Sequence, residues 1–310
     1  MQLRAACYGK VPIHGDFIRH NVAGPEIDLL DQWLQNGIVA SHAPLGAGWD
    51  AAFDATRPQR FLFQPPQTGK VVAGIMTASK DRPGRRFFFI VHTVIDPASF
   101  GGEATLLPAV LSSFFDAAEQ EALSGWQGRD LKGFLGRIDA LALPKGLDDA
   151  KKAIVSFVAG RPAQEVWQDM FGAPDDPRKY LLVHNLVETF KTAPVPKYAL
   201  RFPKVSGAAE VSFWMELLRK LGRRKGLPTL SFWGPDAAGS APGLTVLFDD
   251  LKANYFLPLW WPGRKSSLLF PLAESAAAAD PRVQQAKGRY GALLDDGALR
   301  LSALLTGLTA

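Results

Sequence analysis

Hydrophobic and polar positions along the chain predict strands near both ends and helices between them. Short apolar runs bounded by turn residues predict strands over 3–8, 60–63, 70–76, 87–91, 229–233 and 244–248. Apolar residues at helical spacing predict helices over 26–41, 106–115, 131–141, 150–158, 164–171 and 211–221, and a helical tail from 275 to about 305. The segment 180–190 fits either a strand or a helix.

This order of elements predicts an α/β fold. We expect a central mixed sheet flanked by helices, a three-layer sandwich, with an added helical region and a C-terminal helical tail. The strand–helix–meander of residues 1–97 forms the N-terminal part, 98–175 the helical region, and 176–310 the part that completes the sheet. One compact domain fits this arrangement.

The stretch 77–95 is the part of the sequence around which the other elements are expected to be arranged. In it, a charged turn joins two apolar strands. Asp81, Arg82, Arg85 and Arg86 lie at the point where the turn meets the second strand. Charges that lose water need partners, and one carboxylate cannot satisfy three guanidinium groups. We expect Asp16, far away in sequence, to join them. Such a cluster can be a structural ion-pair network, a recognition surface or a catalytic group.

Composition narrows the class of protein. The chain has 310 residues, 47% hydrophobic and 21% charged, as in a soluble globular protein. Its net charge of +5 is too small for this length to indicate nucleic acid. The single cysteine, Cys7, lies in an apolar strand and predicts a buried thiol in a reducing compartment. We find no secretory signal and no apolar run long enough to cross a bilayer, so we expect a cytoplasmic protein without membrane insertion.

Catalytic motifs are missing from the sequence. It has no phosphate-binding glycine loop and no Gly-x-Ser-x-Gly elbow, and its five histidines are not paired at metal-ligand spacing. We therefore expect no metal and no cofactor. A hydrolase that uses Asp16, Asp81 and His14 in a cleft remains an alternative. His92, within an apolar strand, is expected to be a core histidine with its hydrogen bonds satisfied.

Two further features are candidates for partner binding. The basic segment 219–225, which includes Arg223 and Arg224, lies at a predicted helix C-terminus. It is either a solvated helix cap or a reader of acidic or phosphorylated partners. The adjacent Trp260 and Trp261 lie before a Pro-Gly turn, so we expect one indole to be exposed at an interface. Trp33 is a further candidate.

The N-terminal residues resemble the TagF (ImpM) family, accessory proteins of bacterial type VI secretion. The resemblance covers about residues 5–95. The residues that carry it are Tyr8-Gly9-Lys10, Pro12, Gly15-Asp16-Phe17, Asp31, Trp33-Leu34, Trp49, Arg60-Phe61, Gly74, Ser79, Asp81-Arg82, Gly84-Arg85 and Phe87. Phe88 stands where the family generally has proline.

The resemblance implies a regulatory function without enzymatic activity. It implies a cytoplasmic α/β sandwich that represses type VI secretion post-translationally by binding a forkhead-associated scaffold protein, with no enzymatic activity and no small-molecule substrate. The residues that we expect to form a structural and recognition network are Gly15, Asp16, Arg60, Ser79, Asp81, Gly84 and Arg85.

Overall fold

The central element is a mixed sheet with helices on both faces, as seen in a computed structural model. The structure describes residues 3–144, 146–193, 195–205, 207–223, 226–234, 243–273 and 280–309. Within them the strands are β1 (Ala6–Gly9), β2 (Ile18–His20), β3 (Gln59–Phe63), β4 (Val71–Lys80), β5 (Arg86–Ile95), β6 (Ala199–Pro203), β7 (Leu230–Gly234), β8 (Gly243–Leu247) and β9 (Leu269–Pro271). They form a nine-stranded sheet in the order β2-β1-β5-β4-β3-β7-β8-β6-β9.

The hairpin of β4 and β5 contains the two longest described strands of this sheet. The two strands pair antiparallel along their whole length, from Val71 opposite Ile95 to Lys80 opposite Arg86. Side chains alternate between the faces, so Phe88 and Ile90 join one core while Phe89 and Val91 join the other. Burial on both faces explains why the sequence of β5 is continuously apolar.

Helices cover both faces of the sheet. One core contains side chains of α1 (Glu26–Leu45), α2 (Trp49–Asp54) and α10 (Phe256–Trp260). The other helices pack on or over the opposite core: α3 (Leu107–Val110), α4 (Ser112–Gln120), α5 (Leu131–Asp139), α6 (Asp148–Gly160), α7 (Ala163–Phe171), α8 (Arg178–Thr192), α9 (Ala208–Leu221), α11 (Pro281–Leu294) and α12 (Leu301–Thr309). None of the described helices is long and apolar enough to cross a bilayer.

The predicted α/β sandwich is confirmed. Strand β3 pairs antiparallel with β7, and this pairing joins the N-terminal strands to the C-terminal ones in one sheet. The ambiguous segment 180–190 is helical within α8. Strands β2, β6 and β9 were not predicted. Three residues, as in β2 and β9, are too few to show an alternating pattern, and the five residues of β6 include an arginine and end in proline, so no continuous apolar run marks this strand. The boundaries at 97 and 175 stay predictions, and the start of the predicted tail helix, 275–279, lies outside the described residues.

The expectation of an exposed indole at Trp260 or Trp261 was wrong. Both residues are buried, at 2% and 8% exposure. Helix α10 ends at Trp260, and the backbone of Trp261 leaves helical geometry with φ −127° and ψ 67°. This change lets Trp260 stack on Phe88 while Trp261 packs against Phe256, so a single core holds both rings. Trp33 is buried in the same core.

Candidate functional site

Asp81 is a charged residue whose side chain is completely buried at the end of the β4–β5 hairpin. Its side chain is 0% exposed, and its Oδ2 lies 2.7 Å from Arg85 Nε and 3.1 Å from Lys10 Nζ. The backbone N–H of Arg85 donates to Oδ1 at 2.7 Å. Two cations and a backbone donor thus surround one carboxylate, which is how a buried charge becomes tolerable.

The hairpin loop around Asp81 is tied to the loop that follows β1. The backbone N–H of Arg82 donates to His14 O at 2.8 Å, and its guanidinium donates to Ile13 O at 2.6 Å. The guanidinium of Arg85 donates to Gly15 O at 2.8 Å while it also contacts Asp81. Arg85 therefore connects the buried carboxylate to the backbone of the first loop. We call the surface formed by residues 13–17 and 82–85 the two-loop surface.

Lys10 is the partner of Asp81 that the sequence-based network omitted. It is 7% exposed, and its backbone N–H donates to Phe88 O at 3.2 Å. The preceding residue must be glycine for the backbone to bring Lys10 to this place. Gly9 has φ +120°, and an added Cβ would lie 2.0 Å from Phe88 O. The motif Tyr8-Gly9-Lys10 was the available signal, because it places a cation directly after a glycine at a strand end.

Aromatic rings cover the buried ion pair. Phe17 lies 4.9 Å from Phe87 and 5.8 Å from Tyr8, measured between ring centroids. Lys10 Nζ lies 5.0 Å from the centroid of Phe17, within the range of a cation–π contact. Phe17 nevertheless stays 37% exposed, so the ring that shields the ion pair on one side faces solvent on the other.

The electrostatics keep Asp81 ionised. Burial alone raises the pKa of its carboxyl group, but the hydrogen bonds from Arg85 and Lys10 outweigh burial and hold the pKa below its ordinary value of 3.8. A carboxylate that is charged at neutral pH and sealed from water holds structure together. It is not placed to transfer protons to a bound molecule.

Asp16 and Arg60 do not join this cluster, in contrast to the sequence-based expectation. Asp16 is exposed, and its Oδ1 accepts from the N–H of Phe17 at 2.8 Å. Arg60 contacts α4 instead, with its Nη2 2.6 Å from Asp116 Oδ1 and 3.1 Å from Glu119 Oε2. The first loop contacts the arginines through its backbone carbonyl groups and not through the Asp16 side chain. Every residue has a backbone carbonyl group, so the sequence does not show which loop supplies these acceptors.

The other members of the expected network have local roles. Gly84 adopts φ +92° and donates its N–H to Asp81 O at 2.9 Å, which closes the tight turn. Ser79 lies within β4 opposite Phe87, not in the turn. Arg86 lies outside the cluster and binds α2, with hydrogen bonds of 2.8 Å to both carboxylate oxygens of Asp54.

The geometry gives little support to the hydrolase alternative. Asp81 is enclosed by its cations, and Asp16 points its carboxylate to its own loop backbone. The described residues contain no group of three or more metal-ligating side chains. His92 is fully buried, and burial lowers its pKa to about 3, so it stays neutral. Neither of its ring nitrogens has a hydrogen-bond partner in the described part of the chain, so the expectation of a satisfied histidine was wrong.

The basic segment 219–225 is only partly described. Arg219 is engaged by Glu216, with hydrogen bonds of 2.6 and 2.8 Å. Arg223 is exposed just after α9. Arg224 and Lys225 lie outside the described residues.

The two-loop surface presents an aromatic ring among charged side chains. Asp16, Phe17, Arg82 and Arg85 present an aromatic ring flanked by one negative and two positive exposed side chains. Exposed aromatic and arginine side chains on a rigid support are typical centres of protein interfaces.

Comparisons with known proteins agree with this fold and with the motif residues. The chain is similar to the crystal structure of PA0076 from Pseudomonas aeruginosa PAO1 at 2.05 Å resolution, with a TM-score of 0.51 and 19% identity over 86% of this chain and 98% of that one. No curated protein matches the chain. Residues 6–141 match the family model described as the TagF N-terminal domain, type VI secretion system-associated. This part of the chain, which contains Asp81 and both loops, is therefore similar to the TagF N-terminal domain, a domain associated with the type VI secretion system.

Proposed function

We propose that the chain is a non-enzymatic, cytoplasmic repressor of type VI secretion that docks a forkhead-associated scaffold protein through the two-loop surface. The observation that carries the proposal is the buried Asp81 carboxylate, which Lys10 and Arg85 hold within 3.1 Å and 2.7 Å. This cluster holds two loops from distant parts of the sequence in one shape. A surface that is already ordered binds with a smaller loss of conformational entropy.

The position of the charges supports docking over catalysis. The buried carboxylate is enclosed, while the side chains that face solvent are Phe17 and charged groups around it. An aromatic anchor with charged neighbours provides affinity and orientation for a protein partner.

The experiment measures capture of the scaffold protein by the full chain. Phe17→Ala removes the exposed ring, and we expect it to weaken capture about tenfold or more. Asp16→Lys reverses a charge whose described contact is within its own loop, and we expect slower association and weaker capture. Lys152→Glu, a charge reversal at an exposed position of α6, is the matched control and should bind like the wild type.

Cellular secretion supplies the second measurement. Strains that carry Phe17→Ala or Asp16→Lys should secrete through the type VI apparatus under conditions in which the wild type and Lys152→Glu do not. Folded Phe17→Ala and Asp16→Lys proteins that capture the scaffold with wild-type affinity would contradict the proposed docking surface.

A further inference from the structure

A second site lies away from the two-loop surface, in a cavity between α6, α9, α12 and the segment 101–106. Its volume is about 540 Å³. Volumes of this size are typical of small-molecule sites. Apolar atoms form most of its exposed wall, and the larger apolar side chains are Leu106, Ile154, Val155, Val158, Phe213 and Leu305. Val155 is 62% exposed, which is unusual for valine and leaves an apolar edge at the cavity.

The charged groups of the wall balance each other. Lys151 Nζ lies 2.6 Å from Glu103 Oε1, and the guanidinium of Arg219 lies 2.6 Å from Glu216 Oε1. Thr105 also donates to Glu216, at 3.1 Å. Two carboxylates and two cations leave no net charge in the wall, so a charged ligand would gain no ionic partner there and would lose hydration.

Two acceptors of this wall have no partner within the described part of the chain. They are Oε2 of Glu103 and the hydroxyl Oγ of Ser212. Ser212 is only 1% exposed, so water does not readily satisfy its hydroxyl group. Because an unpaired buried polar atom costs free energy, a side-chain rotation that turns either atom toward the cavity, where it would accept from a ligand's N–H or O–H donor, is favoured.

We propose that this cavity binds an uncharged, mainly apolar small molecule that carries an N–H or O–H donor. The site joins the family-matched residues 6–141, which supply Glu103 and Thr105, to the later helices that supply Ser212 and Glu216. It does not depend on the proposed docking function, since none of its wall residues belongs to the two-loop surface.

The experiment titrates the full chain with N-phenyl-1-naphthylamine, a neutral probe with one N–H, and follows its fluorescence. We expect saturable binding at one site. The matched probe 8-anilinonaphthalene-1-sulfonate has the same aromatic frame plus a sulfonate, and we expect it to bind at least about tenfold more weakly.

Variants locate the bound probe. Ala159→Trp places an indole at the cavity edge, and we expect it to weaken binding of the neutral probe at least about tenfold. Ala40→Trp, at an exposed position of α1, should bind like the wild type. Ser212→Ala removes an acceptor and should weaken binding about fivefold. Equal melting temperatures would show that the variants are folded.

Three outcomes would overturn the proposal. They are the absence of saturable binding of the neutral probe, equal or tighter binding of the sulfonated probe, and unchanged binding in both Ala159→Trp and Ser212→Ala.

Discussion

At the scale of single residues, the buried charge of Asp81 has the largest consequences for stability. Lys10 is almost as buried as Asp81, with side-chain exposures of 8% and 0%, while Arg85 remains 59% exposed. Removal of the carboxylate would leave the Lys10 ammonium group enclosed without its counterion. Arg85 would return to water at little cost. The stability of the cluster therefore depends mainly on the pair of Asp81 and Lys10.

We expect Asp81→Ala to lower the free energy of unfolding by about 3–5 kcal/mol, because it leaves a buried ammonium group unpaired. Chemical denaturation of the full chain measures this change. Asp16→Ala is the control, and we expect a change within about 0.5 kcal/mol since Asp16 is exposed. Equal midpoints for Asp81→Ala and the wild type would show that the ion pair is not needed for the fold.

The sequence predicted part of this site and missed part of it for a clear reason. Charge and turn signals were enough to select Asp81, Gly84 and Arg85, which lie within five positions of each other. Two other contacts depend on the three-dimensional path of the chain: the ion pair with Lys10 and the hydrogen bond from Arg85 to Gly15 O. The expectation that Asp16 would meet the arginines identified the correct loop but the wrong atoms.

At the scale of helices and strands, α9 carries a carboxyl group whose burial opposes its ionisation. Glu210 lies in the first turn of α9. Burial raises its pKa from 4.5 to about 7, against the opposing effects of a hydrogen bond with Trp214 and of the nearby Arg161 charge. The packing of α9 against its neighbours therefore favours the protonated form of this side chain.

This position predicts a pH dependence of stability. Below pH 4.5 the carboxyl group is protonated in both states, and between pH 4.5 and about 7 only the unfolded chain releases the proton. The contribution of Glu210 to stability is therefore lost as the pH rises. Relative to Glu210→Gln, we expect the wild type to lose about 2–3 kcal/mol between pH 5 and pH 8 in urea unfolding. A constant difference between the two proteins would contradict the raised pKa.

The longest strands were predictable from the sequence, as were several strands of four or five residues, whereas the three-residue strands were not. The ten residues each of β4 and β5 carry enough apolar positions to define a strand. Strand β9 has three residues and pairs in parallel with β6, a contact that depends on the path of the intervening chain. Helix α10 has five residues, and its end at Trp260 decides the placement of two indoles. Such an end is set by tertiary packing, which overrides local preference.

At the scale of the whole molecule, one sheet links the family-matched domain to the rest of the chain. Strand β3 pairs with β4 on one side and with β7 on the other. The two-loop surface lies beyond the end of the β4–β5 hairpin, while the proposed ligand cavity lies between helices over the sheet. The docking proposal and the ligand proposal can therefore be tested separately.

The account depends most on the claim that Asp81 orders a loop that lies more than sixty residues earlier in the sequence. Hydrogen–deuterium exchange of the Asp81→Asn variant tests this claim directly, since asparagine keeps the size of the side chain and removes its charge. We expect faster exchange at residues 12–17 and at 82–86, with little change in α8 and α11 on the far part of the fold. Unchanged exchange at residues 12–17 in a folded Asp81→Asn protein would contradict the account.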